Sequence, residues 1–247
     1  MRTRSLLAAL PLAVLTLSGT SVANADPTPP PATGIVGGVP ATEVYSFMAS
    51  LQYEGGYHAC GASLIAPSWL VTAEHCTEAN PSQARIGTTT YNSGGEIRQI
   101  LSHRVLGGDV ALLQLATPST MSPVEIAESA PIGSSTRIIG WGQTCPIRGC
   151  GGTPVGLRQL DTSILSESSC GIDSDELCIE GGGGRGACWG DSGGPAVTGG
   201  PGAWKLVGAT SRGTASTCAV TPSIYGNVTA YRSQILQIIG GGAAATR

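Results

Sequence analysis

Apolar residues in this chain come in short runs, each cut off within a few positions by Gly, Pro, Ser or Asn. Phe47 to Tyr53, Ala62 to Ile65, Trp69 to Thr72, Val110 to Leu115, Arg137 to Trp141 and Leu206 to Thr210 have strand lengths and alternating or continuous apolar character. Helical stretches do not separate them, so an α/β sheet is excluded and an all-β barrel or sandwich is expected. A helix is expected only at Tyr231 to Ile239, where Ile235, Leu236, Ile238 and Ile239 form a mostly apolar face. With 37 Gly and 16 Pro in 247 residues the chain is rich in loops, yet its 41% hydrophobic content argues against disorder. A net charge of −3 and the lack of a basic run argue against a nucleic-acid partner, because phosphate neutralisation needs clustered cations.

Arg2 and Arg4 precede an apolar run from Leu6 to Leu17, followed by Ala23-Asn24-Ala25; these are the three parts of a secretory signal, with cleavage expected after Ala25. A membrane anchor is the weaker reading, since about 18 apolar residues are needed to span and Pro11 interrupts this run. Once the signal is removed, no membrane association is expected. Export to an oxidising compartment explains the eight cysteines, Cys60, Cys76, Cys145, Cys150, Cys170, Cys178, Cys188 and Cys218, as up to four disulfides. Their spacing does not fit zinc, and no metal is expected. Asp26 to Gly34 reads DPTPPPATG, an exposed leader that three consecutive prolines keep out of helix and sheet interior.

Chemistry concentrates at Cys188-Trp189-Gly190-Asp191-Ser192-Gly193-Gly194-Pro195, where a serine lies among glycines that let backbone N–H groups approach a ligand. A serine hydroxyl needs an imidazole to take its proton. Only His58, His75 and His103 are available, all before the serine, whereas the nucleophile elbow of α/β hydrolases requires a histidine after it. His75, in Thr72-Ala73-Glu74-His75-Cys76, follows a strand-like segment and adjoins a cysteine that would fix its backbone. His58 and His103 read as structural or surface residues. Asp109, which opens the apolar run Val110 to Leu115, is the candidate to orient the imidazole, with an ordinary turn residue as its alternative reading.

Ile35-Val36-Gly37-Gly38, TAEHC, DVALLQL and CWGDSGGP, in that order, resemble the trypsin and chymotrypsin family of serine endopeptidases over Ile35 to about Ile239. The resemblance implies two six-stranded antiparallel β-barrels with a C-terminal helix and the active site between them. It divides the chain into a signal peptide (1–25), an activation propeptide (26–34), an N-terminal barrel (35–130) and a C-terminal barrel with helix (131–247). It implies Ser192 as nucleophile, His75 as general base, Asp109 as its orienting carboxylate, and the N–H groups of Gly190 and Ser192 as the oxyanion hole. Asp191 would pair with the ammonium of Ile35 once the leader is cut, which makes the chain a zymogen needing an activating protease. Gly34 stands before that cut where many relatives have Arg or Lys, so a protease tolerant of small residues is expected. Glu74 replaces the usual alanine beside the histidine and is expected to point away.

By the same resemblance the pocket for the residue before the scissile bond has Gly186 at its base, Ala187, Ser211, Arg212 and Gly213 along it, Ser223 on its wall and Trp189 at its entrance. Trypsin-like enzymes carry an aspartate at the position of Gly186. Without it a basic side chain would be buried unpaired, so small or medium neutral side chains are expected, unless Glu180 or Asp175 reaches inward. The family pattern pairs Cys60 with Cys76, Cys170 with Cys178 and Cys188 with Cys218, leaving Cys145 and Cys150 for each other. No cofactor is implied, and Thr88 to Tyr91 lacks the carboxylates calcium needs. The expected partners are peptide or protein substrates, an activating protease and protein inhibitors, with the chain secreted and monomeric by default. A non-catalytic secreted binder on the same scaffold is the rival reading.

Overall fold

The computed structural model describes residues 35–241; residues 1–34, where the signal and leader are expected, and residues 242–247 lie outside the described residues. The strands are β1 (Val39–Pro40), β2 (Met48–Gln52), β3 (His58–Ala66), β4 (Trp69–Ala73), β5 (Gln83–Ile86), β6 (Glu96–Gly107), β7 (Val110–Leu115) and β8 (Glu125–Ile126). They continue as β9 (Ser135–Gly140), β10 (Arg158–Leu165), β11 (Glu176–Ile179), β12 (Pro195–Thr198), β13 (Lys205–Gly213) and β14 (Ser223–Asn227). The helices are the single turn α1 (His75–Glu78) and α2 (Arg232–Gly241).

Strands β2-β3-β4-β7-β6-β5 close into the first six-stranded antiparallel barrel. Strands β9-β10-β11-β14-β13-β12 form the second, closed by the pairing of β10 with β9. Closure leaves neither barrel an open edge along its ring. Met48, Ala49, Leu51, Leu64, Leu70, Val71, Leu112 and Leu113 fill the first barrel with almost no exposure. Each such side chain contributes about 1.5–3 kcal/mol of burial. Ile138, Leu160, Ile164, Leu177, Ile179, Val207 and Tyr225 form a second cluster in the other barrel.

The chain ends cross over. β1 precedes the first barrel but pairs with β10 of the second, and Ile35 joins the second barrel's core. α2 ends the chain, yet its Ile235 is buried in the same cluster as Val110 and Leu112 of the first barrel. The N-terminal segment thus joins the second barrel, while Ile235 sits in a cluster that also includes Val197, Leu206 and Val228 of the second half. The join itself is glycine-lined: the Gly61 N–H donates to the Ser192 carbonyl at 2.7 Å, and a Cβ on Gly61 would stand 2.7 Å from the Gly194 Cα. The barrels therefore touch backbone to backbone at the serine loop.

Candidate active site

β4 ends at Ala73 and the chain turns at once into α1, which places His75 at the barrel rim. Cys76 is tied to Cys60 on β3, and the Glu74 N–H donates to the Asp109 carbonyl at 3.0 Å, so the histidine is mounted on both sides. Asp109 is the residue before β7 and has φ +55°, a left-handed conformation that aspartate tolerates better than most side chains. That geometry turns its carboxylate toward His75. Oδ2 lies 2.8 Å from His75 Nδ1, and Oδ1 accepts the His75 N–H at 3.0 Å. The hydrogen bond to Asp109 raises the His75 pKa above its ordinary value against an opposing desolvation, with Glu78 adding to the rise. Glu74 is not among the groups that shift it. Asp109 is held below the usual carboxylate range by hydrogen bonds from His75 and Ser211, which outweigh its desolvation.

The second barrel brings Ser192. Its carbonyl accepts from Gly61, next to Cys60, whose disulfide partner is next to His75, so the two side chains are carried on directly connected backbone. The Ser192 hydroxyl itself has no hydrogen-bond partner among the described residues. The N–H groups of Gly190 and Ser192 have none either, while their neighbours Asp191, Gly193 and Gly194 are all paired internally, to Cys188, Thr210 and Asp191. Two adjacent donors without acceptors at a serine are what an anion-binding site requires. Gly190 has φ +96°, a conformation open to glycine and strained for other residues.

Two titratable groups hold this loop, Asp191 buried and His58 half-buried. Asp191 is 2% exposed and accepts hydrogen bonds from Gly142 N–H at 2.8 Å and Cys188 N–H at 2.9 Å. Burial pushes its carboxyl up to about 7, those two bonds pulling the other way. A Cβ at Gly140 or Gly142 would collide with the carboxylate. No salt bridge reaches Asp191 among the described residues, and Ile35 lies 1% exposed in the same half of the molecule. His58, on β3, has Nε2 2.9 Å from the Gly190 carbonyl and Nδ1 2.8 Å from Ser50 Oγ. A carbonyl only accepts, so Nε2 carries the proton. Desolvation pushes the His58 pKa down to about 4, leaving Nδ1 bare to accept from Ser50 at neutral pH. His58 is thus a hydrogen-bonded structural histidine, and its contacts with Ser50 and Gly190 join segments distant in the chain.

The family model described as Trypsin matches residues 35–235. Among curated proteins the chain is 30% identical over 226 residues to "Trypsin" of Sarcophaga bullata, covering 81% of this chain and 87% of that protein. It is 31% identical over 229 residues to "Trypsin delta" and to "Trypsin gamma" of Drosophila erecta, covering 82% of this chain and 87% of each. The chain belongs to the trypsin family. It is a serine endopeptidase with two antiparallel barrels, as the motifs implied.

Beside Ser192 this trypsin-family chain has a cavity of about 230 Å³. Ala187, Cys188, Trp189, Ser211, Arg212, Gly213 and Ser223 line it. A Cβ at Gly186 would meet Ala219 and Ser223, both of which line the cavity, at 3.6–3.8 Å, so Gly186 stands directly against that lining. Thr210, Ala215, Thr217, Cys218, Ala219 and Thr221 complete a lining that contains no carboxylate. Glu180 turns instead to Ser163 at 2.8 Å, and Asp175 to the Tyr231 hydroxyl at 3.2 Å, so neither reaches inward. Arg212, half exposed at the rim, is bound by Glu176 through two hydrogen bonds. Glu176 was not foreseen; nothing in its own sequence surroundings marks it as that partner. Four disulfides are present, joining Cys60 to Cys76, Cys145 to Cys150, Cys170 to Cys178 and Cys188 to Cys218.

Proposed function

We propose that this endopeptidase is secreted as an inactive precursor and cleaves peptide bonds with Ser192, His75 and Asp109 after small or medium neutral residues. The observation that carries the reading is the His75–Asp109 pair, tied through the Cys60–Cys76 bridge and the Gly61–Ser192 backbone bond to a serine flanked by two N–H groups without acceptors. His75 Nε2 takes the Ser192 proton as Oγ attacks the scissile carbonyl, while Asp109 holds Nδ1–H and stabilises the imidazolium. The oxyanion enters between the Gly190 and Ser192 N–H groups, each such donor lowering the barrier by about 2.7–4 kcal/mol. Collapse passes the proton from His75 to the leaving amine and leaves an acyl-enzyme on Ser192. Water, deprotonated by the same imidazole, then releases the acid product and restores the serine.

Precursor control follows from Asp191. A carboxylate buried without a cation is costly. Cleavage after Gly34 by a protease tolerant of small residues frees the Ile35 ammonium to supply the cation and fix the oxyanion loop. The signal at 1–25 and the leader at 26–34 take the chain to an extracellular compartment in this latent form, where peptides or proteins are substrates, protein inhibitors are further partners, and the enzyme acts as a monomer. The test is a peptide library varied only at the residue before the scissile bond, offered to the chain beginning at Ile35. Cleavage after Ala, Val or Leu is expected, and a strict Arg or Lys preference would overturn the specificity.

A further inference from the structure

Residues 142 to 146 grip the serine loop and the cavity wall at successive points. The Gly142 N–H donates to Asp191 at 2.8 Å, and the Gln143 N–H to the Trp189 carbonyl at 2.7 Å. The Cys145 carbonyl lies 3.6 Å from Cys188 Sγ, and the Pro146 carbonyl accepts the Cys218 N–H at 3.1 Å. Cys188 and Cys218 form the disulfide at the cavity wall, so both its ends are touched by this segment. Beyond Pro146 the chain runs through exposed residues as far as Thr153, and nothing in their sequence favours one conformation.

Two features restrain it. Cys145 is closed onto Cys150, and the Gln143 side chain, 7% exposed, clamps that ring by donating Nε2–H to the Cys150 carbonyl at 2.9 Å and accepting the Gly149 N–H on Oε1 at 3.1 Å. Loop-closure entropy grows with ring length, so a bridge spanning 5 positions restrains far less of the unfolded chain than the Cys188–Cys218 bridge spanning 30. Its larger effect is therefore local. It sets where the 142–146 segment stands against the oxyanion loop.

We propose that the Cys145–Cys150 ring, clamped by Gln143, is a brace that positions the Gly190 and Ser192 N–H donors and the Cys188–Cys218 wall, with Gln143 as a positioning residue. The proposal rests on the reading of Ser192 as nucleophile. Two variants of the chain beginning at Ile35 test it: Gln143→Met, which keeps side-chain length without the amide, and Cys145→Ser with Cys150→Ser. The probes are the p-nitroanilide whose acyl residue the library prefers, the matching peptide boronic acid, whose tetrahedral adduct uses the oxyanion donors, and a thermal midpoint. Misplacement of a site by about 1 Å costs up to 10²-fold. We expect kcat to fall about tenfold in each variant with KM within about twofold, the boronate weakening in parallel, and the Gln143→Met midpoint unchanged. Wild-type kcat in either variant, or a change confined to KM or to the midpoint, overturns the brace. Failure of the underlying reading is distinct: there, Ser192→Ala would retain activity.

Discussion

The two barrels hold their share of the site by different means. The first presents His75 and Asp109 from the ends of regular strands, fixed by one disulfide and by hydrogen bonds between neighbouring elements. The second presents Ser192 from an irregular loop, and around it gather the Cys145–Cys150 and Cys188–Cys218 disulfides, the left-handed Gly190 and Gly193, and the buried Asp191. A proton relay needs only a side chain held at a strand end. Two N–H groups aimed at one point need a backbone that no regular element provides, and such a backbone must be pinned from outside. The titratable groups divide in the same way: half-buried His58 from the first barrel and buried Asp191 from the second bracket Gly190, with pKa values displaced in opposite directions.

Breaking the first barrel's contribution should cost catalysis and spare stability. Asn tolerates the left-handed backbone at position 109 and presents the wrong hydrogen-bonding edge to Nδ1, so Asp109→Asn should lower kcat about 10⁴-fold with the fold intact. The remaining activity should lose the acid limb that reports the raised His75 pKa. A drop below tenfold would break the comparison.

The second barrel should show its dependence as stability against pH. In a chain that keeps Gly34, no ammonium reaches Asp191, whose carboxyl rises from 3.8 unfolded to about 7 folded. The folded state then binds more protons between these values, so stability should fall as pH rises from about 4 to 7, by on the order of 4 kcal/mol. The chain beginning at Ile35 should lack that slope. Urea midpoints across the window measure both, and equal slopes would sink the ion pair.

The smallest effect should come from His58, with the reverse sign. Its pKa falls from 6.5 unfolded to about 4 folded, so its contribution is complete above pH 6.5 and lost as pH falls toward 4. Because the ring is only partly buried, about 1–2 kcal/mol is expected. His58→Gln should flatten that slope in the processed chain, and a slope unchanged by the substitution would remove His58 as its source.

The same contrast governs what the sequence made legible. Val110 to Leu115 matches β7, and Trp69 to Thr72 falls one residue short of β4, because both are buried on both faces and read as continuous apolar runs. β6 has no clear signal in the sequence, since seven of its twelve residues are exposed, apolar Ile97, Leu101 and Val105 among them, and its pairing with β5 and β7 supplies the order its own pattern lacks. The serine loop announced its residues through glycines and motif order. Its supports did not: Glu176, Gln143 and the Ser50–His58 pair act through contacts between segments distant in the chain or through side chains with no local signature.

The central claim is that the second barrel's Ser192 is made nucleophilic by the first barrel's His75. Mass-spectrometric mapping of a peptidyl diphenyl phosphonate adduct on the chain beginning at Ile35, alongside its His75→Ala variant, tests it most directly. The account predicts one stoichiometric adduct on Ser192 that forms at least 10³-fold more slowly in the variant. An adduct on another residue, or equal rates in the two chains, would contradict it.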